Sequence, residues 1–204
     1  MNLPRLLQLA SPTLPVGAYS YSQGLEAAVE AGIVTDVASA EAWIGDALQY
    51  SIGRFEAPVL WRMMQGEELN ELFLASRETA ELRAETVQMG HSLKRLLEDL
   101  ALGTLALEEP SYPAAYAFAA RRLEVDPREA LVAYLWSWLE NQVMAAIRAV
   151  PLGQTAGQKI LFALGAKLEK IAAETQAAPL SNFTPGLAML STRHETQYSR
   201  LFRS

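Results

Sequence analysis

Asn141 to Leu161, NQVMAAIRAVPLGQTAGQKIL, is the stretch whose reading decides the fold. Upstream of it, Ala130 to Leu139 passes without a formal charge and carries Trp136 and Trp138. A helix that is apolar around most of its circumference is a buried, central one. Arg148 then brings a charge into the run, and Pro151 with Gly153 breaks it, because proline lacks a backbone donor and disfavours helix in the residue before it. A second helical pattern follows. The stretch therefore reads as a hydrophobic hairpin of two helices with a polar elbow, around which the other helices pack.

The chain has 204 residues, half of them hydrophobic and 20% charged, which is ample for a buried core and argues against disorder. A net charge of −6 argues against a general affinity for nucleic acid, which needs a basic surface. There are no cysteines, so disulfides, zinc-finger sites and thiol catalysis are excluded, and a reducing, cytoplasmic setting fits. The N-terminus MNLPRLLQLASP lacks the basic region and clean apolar core of a signal peptide. The best membrane candidate, Ala130 to Ile147, contains Glu140, Asn141 and Gln142 in succession, groups costly in lipid, and reads as a core helix instead.

Working outward from the elbow, Asp126, Pro127 and Glu129 make a good helix start, an N-cap acceptor followed by a first-turn proline and a capping-box glutamate. Beyond the elbow, Ile160, Leu164, Leu168 and Ile171 recur at helical spacing, so helix is expected to about Gln176. Towards the N-terminus, Leu3 to Leu9 is a short helix. Residues 13–26 form a loop rich in proline and glycine, and Ser22 is placed to cap a helix from Gln23 to Ala31. Asp36 to Ile52 and Glu56 to Gln65 read as two helices broken around Gly53 and Pro58, with a further one over Glu67 to Arg77. From Glu78 to Leu102, Leu82, Met89, Leu93, Leu96 and Leu100 make an amphipathic stripe, with Glu78, Glu81, Arg83, Glu85 and Lys94 read as its solvated side. Ala114 to Leu123 is a short alanine-rich helix. Residues 187–204 end in a segment where Arg193, Arg200 and Arg203 outweigh Glu195. That composition suits either an interface or an ordinary frayed or packed tail. The expectation is an all-α bundle, one domain over residues 1–204, with a C-terminal interaction tail at about 187–204.

Catalytic chemistry has little to stand on. The two histidines are His91, in a helical Gly90-His91-Ser92 step, and His194, whose neighbour Glu195 points elsewhere on a helix. No metal spacing is evident, although a symmetric dimer would double the imidazoles. Ser20 and Ser22 lack a strand-turn-helix nucleophile motif. The glycines of PLGQTAGQK lack phosphate-loop spacing, since Lys159 is followed by Ile160. A helical hydrolase or a small-molecule-binding regulator stays open as an alternative without a motif behind it. Gln142, Gln154, Gln158 and Arg148 around the elbow read as polar plugs of a broken helix.

LPVGAYSYSQGLE at Leu14 to Glu26 closely resembles the opening signature of the urease accessory proteins of the F type, UreF. SRETAELR and MGHSLKRLL in the middle, NQVMAAIRAVPLGQTAGQ at the elbow and RHETQYSRLFRS at the end extend the likeness over nearly the whole chain. The resemblance implies an all-α homodimer without enzymatic activity or cofactor, which helps load nickel into apo-urease. Its implied partners are the D-type (or H-type) accessory protein and the G-type GTPase, whose nucleotide hydrolysis it governs, and its basic tail is implied to order on the D-type partner. On this basis Tyr19, Tyr21, Arg193, His194, Tyr198, Arg200, Leu201, Phe202 and Arg203, with Ser20 and Glu195 beside them, are expected at a partner surface rather than in the core. Glu26, Arg148, Gln154 and Gln158 are expected near a dimer or GTPase surface. Removing the tail should then abolish partner capture while leaving helix content and melting nearly unchanged.

Overall fold

The computed structural model describes residues 2–204. Its regular structure is helical throughout: α1 (Leu3–Leu9), a 3-10 turn (Ala18–Ser20), α2 (Leu25–Glu30), α3 (Val37–Asp46), a π-helical segment (Ala47–Glu56), α4 (Ala57–Met64), α5 (Asn70–Ala75), α6 (Ala80–Asp99), α7 (Tyr112–Arg122), α8 (Pro127–Ala149), α9 (Gln154–Gly165), α10 (Leu168–Thr175) and α11 (Pro185–His194). No strand occurs among the described residues, as the sequence pattern predicts for an all-α chain.

The helix α8 begins where the sequence places it. The Asp126 carboxylate accepts from the Arg128 and Glu129 N–H groups at 3.0 and 3.1 Å, and Pro127 occupies the first turn, where its missing donor costs nothing. It ends as Val150 turns extended ahead of Pro151. Leu131, Leu135, Leu139 and Val143 are fully buried, and α8 packs against α1, α2, α3, α4, α9 and α10. Each such side chain contributes about 1.5–3 kcal/mol by leaving water. The return helix α9 closes on α8 at Gly157, where a Cβ would lie 2.4 Å from Ile147 Cδ1, so the tightness of the hairpin requires glycine. A second close approach joins α6 to the residues before α7. A Cβ on Gly90 would lie 2.0 Å from the Pro110 carbonyl oxygen, and that backbone is fixed by Asn70 Oδ1 accepting from Ser111 N–H and Thr86 Oγ1 accepting from Tyr112 N–H.

Several boundaries differ from expectation. The chain does not break at Gly53 or Pro58; it runs helically from Val37 to Met64, widening into the π-helix on the way. Pro58 still leaves the Arg54 carbonyl without its i+4 donor, and the Ser181 N–H fills that place from another part of the chain at 3.0 Å. The pattern after the elbow divides at Ala166 and Lys167 into α9 and α10. The helix α2 starts at Leu25, because Gln23 and Gly24 take positive φ of 53° and 83°; Ser22 stands further from the helix than expected, yet its hydroxyl accepts from the Glu26 N–H of the first turn at 3.3 Å while donating to residue 204. On α6 the buried stripe continues through Leu97, leaving Leu96 half-buried and Leu100 exposed. No helix among the described residues is long and apolar enough to cross a membrane.

Candidate partner-binding site

The loop before α2 and the segment after α11, the two ends of the chain, form one structure. Glu26 sits in the first turn of α2 and is buried. Its Oε1 accepts from the Leu201 N–H at 2.7 Å and its Oε2 from the Phe202 N–H at 2.9 Å. Hydrogen bonds to a charged acceptor contribute about 1.5–3 kcal/mol each, and a carboxylate left buried without its donors costs more. His194, at the end of α11, is fully buried with Nδ1 2.6 Å from Glu81 Oε2 and Nε2 3.2 Å from Glu26 Oε2. Both ring nitrogens thus face carboxylate oxygens, which fixes the plane of the imidazole between α2 and α6. Arg200 Nη1 reaches Glu81 Oε1 at 2.5 Å, and Glu195 Oε1 accepts from the Glu81 N–H at the start of α6.

The last residues lie along the loop 19–23. The Arg203 N–H donates to the Ser20 carbonyl at 2.8 Å, and the Ser22 N–H and hydroxyl both donate to the Ser204 carbonyl, at 2.8 and 2.6 Å. Phe202 is buried under Arg148, whose guanidinium stands 4.5 Å from the ring centroid and donates to the Tyr19 carbonyl at 3.0 Å. Ser204 Oγ lies 2.7 Å from Glu85 Oε2, Gln23 Nε2 donates to Glu85 Oε1 at 2.6 Å, and Trp138 Nε1 donates to Gln23 Oε1. Burial pushes the Glu85 carboxyl up to about 7, against the opposing hydrogen bonds from Gln23 and Ser204. Behind it, burial also raises Glu56, countered by Arg77 at 3.4 Å and by the Tyr134 hydroxyl that donates to it. A cavity of about 270 Å3 lies between α1, the loop 11–19, α6 and α8, reaching in to these two glutamates.

The structure therefore gathers Tyr19, Ser20, Tyr21, Glu26, Arg148, His194, Glu195, Arg200, Leu201, Phe202 and Arg203 around one clasp. It corrects the surface expectation for four of them: Tyr21, Glu26, His194 and Phe202 are interior, spent on closing the clasp. Tyr19 (71% exposed), Leu201 (60%) and the fully exposed Tyr198 face outward, as do Arg148, Arg193, Arg200 and Arg203, while Ser20 and Glu195 are half-buried. Gln154 and Gln158 are exposed on α9, which packs mainly on α8 and α3, so they belong to a different face. The tail is packed into the fold, since it supplies two backbone donors to Glu26 and the buried Phe202, and its removal is expected to lower melting.

Sequence reasoning missed Glu81 and Glu85, which it placed on the solvated side of α6. Glu85 is three residues after Leu82 and four before Met89, on the apolar stripe itself, and that spacing was the available signal. Ser22 carried only its capping signal, and Gln23 and Ser204 only their place in the two blocks of resemblance. His91 is exposed, and among the described residues no group of three or more His, Asp or Glu side chains is arranged to hold a metal ion.

A buried histidine between the buried Glu26 and the half-buried Glu81, with outward aromatic and arginine side chains around them, describes a protein that displays a surface. A family model described as UreF matches residues 34–165. Relatives align along the entire chain: a protein of Azoarcus sp. (strain BH72) is 56% identical, covering all of this chain and 96% of its own. Proteins of Dechloromonas aromatica (strain RCB) and Janthinobacterium sp. (strain Marseille) are 53% and 52% identical, over 100% and 99% of this chain and 98% of their own. All three are named urease accessory protein UreF. The class is thus that of accessory proteins rather than enzymes. Within it, the chain belongs to the UreF family, and its clasp lies partly outside the span of the family model but inside the alignment with these relatives.

Proposed function

We propose that this chain is a non-catalytic scaffold of urease maturation that binds the D-type (or H-type) accessory protein through the clasp face, and recruits and regulates the G-type GTPase so that nickel enters apo-urease. Membership of the UreF family gives the role in urease maturation. The resemblance of the sequence blocks supports the finer assignment of partners, together with a cytoplasmic homodimer. The observation that carries the reading is that Tyr19, Tyr198 and Leu201 project outward from the clasp, whose backbone Glu26 holds at Leu201 and Phe202 and Arg148 holds at Tyr19. Aromatic and aliphatic side chains on a pre-ordered backbone make contact area without the entropic cost of ordering a loop on binding. The G-type GTPase is assigned to the separate α9 face, where Gln154 and Gln158 are free, with Arg148 between the two faces.

The test is a double substitution, Tyr198→Ala with Leu201→Ala, neither side chain being buried. Co-purification with the D-type partner should weaken by at least about tenfold, equivalent to about 1.4 kcal/mol, with helix content and melting unchanged. Full capture by that variant would remove the clasp face from the assignment. In parallel, Gln154→Ala with Gln158→Ala should spare D-type capture and impair GTPase recruitment; impairment of the first alone would reverse the allocation of faces.

A further inference from the structure

The floor of the cavity beside the clasp gathers acidic and phenolic groups whose charge the outward face does not use. The cavity opens near Tyr19, Met144 and Arg148 and narrows to Glu56, Glu85, Tyr112 and Tyr134. Glu85 is 5% exposed, and its carboxyl is held by neutral donors only, the Gln23 amide and the Ser204 hydroxyl. Among the described residues no cationic side chain forms an ion pair with it; Arg77, whose charge reaches it weakly, is paired with Glu56. An ionised carboxylate in such a place costs several kcal/mol unless a counter-charge arrives. Tyr112, nine-tenths buried, lines the same floor, and among the described residues its hydroxyl has no hydrogen-bond partner in the protein. Glu56 reaches the floor from the π-helix, a rare conformation that recurs at functional sites. Leu14, Met89 and Met144 supply apolar walls above.

We propose that this cavity binds an organic cation, an ammonium or guanidinium head on an apolar stem, with the head at Glu85 and Tyr112 and the stem along Leu14, Met89 and Met144. An anionic head is disfavoured by Glu56 and Glu85 on the floor and Glu140 near the mouth, since Arg77 answers to Glu56 and Arg148 is engaged with Tyr19 and Phe202. The titratable groups around Glu85 are Glu56 from the π-helix, Arg77 ahead of α6, Tyr112 from α7, Tyr134 from α8, and Tyr21 with Arg203 at the clasp. Because burial holds the Glu85 carboxyl near 7, a proton competes with the cation, and binding near neutral pH releases that proton. The same head chemistry comes from a free amine or from an arginine of a partner protein.

The experiment is calorimetric titration of the full chain with 2-phenylethylammonium, benzylguanidinium, the neutral 2-phenylethanol and a blocked Leu-Arg-Leu peptide, near pH 8 and near pH 6. Saturable binding of a cationic probe is expected, about tenfold weaker near pH 6 because the carboxyl is then mostly protonated, with 2-phenylethanol weaker than the cations. Glu85→Gln should weaken binding about tenfold and flatten its pH dependence, and Tyr112→Phe should weaken it several-fold in a protein whose packing is preserved. Binding of the small cations assigns the site to a free amine, and binding of the peptide alone assigns it to a partner's arginine; both uphold the proposal. No cation binding near pH 8, equal binding of 2-phenylethanol, or undiminished binding to both variants overturns it.

Discussion

Around α8, burial is apolar. Leu131, Leu135, Leu139 and Val143 meet their neighbours through many weak dispersion contacts, none of them directional. At the clasp, burial is polar and particular: Glu26, Glu85 and His194 are inside, and each depends on a named donor or acceptor contributed by a distant part of the chain. Loss of one methylene near α8 leaves a gap that neighbours partly fill, whereas loss of one donor at the clasp leaves a charge that nothing else can satisfy. The first region sets how stable the molecule is; the second sets which surface it presents.

Deleting residues 202–204 tests that contrast hardest. It removes a buried phenylalanine and one of the two backbone donors to Glu26, and should lower unfolding free energy by about 5 kcal/mol, read as a fall in urea midpoint. A deletant that melts like the whole chain would show that the clasp is no part of the fold. Leu135→Ala should cost about 3 kcal/mol in the same measurement while the outward clasp face and its partner capture persist; loss of capture in a folded Leu135→Ala protein would mean that the two regions are not separable. The pH dependence comes next. The Glu85 carboxyl is higher in the folded chain, near 7, than its ordinary 4.5, so its protonated form favours folding. Its contribution is complete below 4.5 and fades as pH rises towards 7, by no more than about 3 kcal/mol. Stability curves of the native chain and Glu85→Gln should therefore diverge over that interval and run parallel above it; parallel curves throughout would place the Glu85 carboxyl in water. The smallest effect belongs to Arg128→Ala, which breaks an exposed ion pair to Glu169 and should change stability by less than about 0.5 kcal/mol.

What the sequence made legible follows the same division. The cap at Asp126, the proline after it, the uncharged run of α8 and the stop at Pro151 are local signals, and each lies where the pattern puts it. Pro58 is a local signal that misleads, because the compensating donor, the Ser181 N–H, is remote in sequence. The clasp was half-visible: the resemblance of its two blocks marked them as important, yet their chemistry was read as outward-facing. Nothing in the order of residues says that Phe202 turns inward while Leu201 turns outward, since that is decided by Glu26 gripping both N–H groups. Glu85 is obscured for a different reason: its charge points to the solvated side, while its spacing from Leu82 and Met89 puts it on the α6 stripe.

Glu26 and the backbone it grips are separated by 175 and 176 positions. At the roughly 5–20 residues per second of protein synthesis, the ribosome takes about ten to thirty-five seconds to make what lies between them. Throughout that interval Glu26 lacks both of its backbone donors, and no nascent chain can yet offer Tyr198 and Leu201 in their finished arrangement. The order of synthesis thus acts as a timer, withholding the outward clasp surface until the helices beneath it have been made.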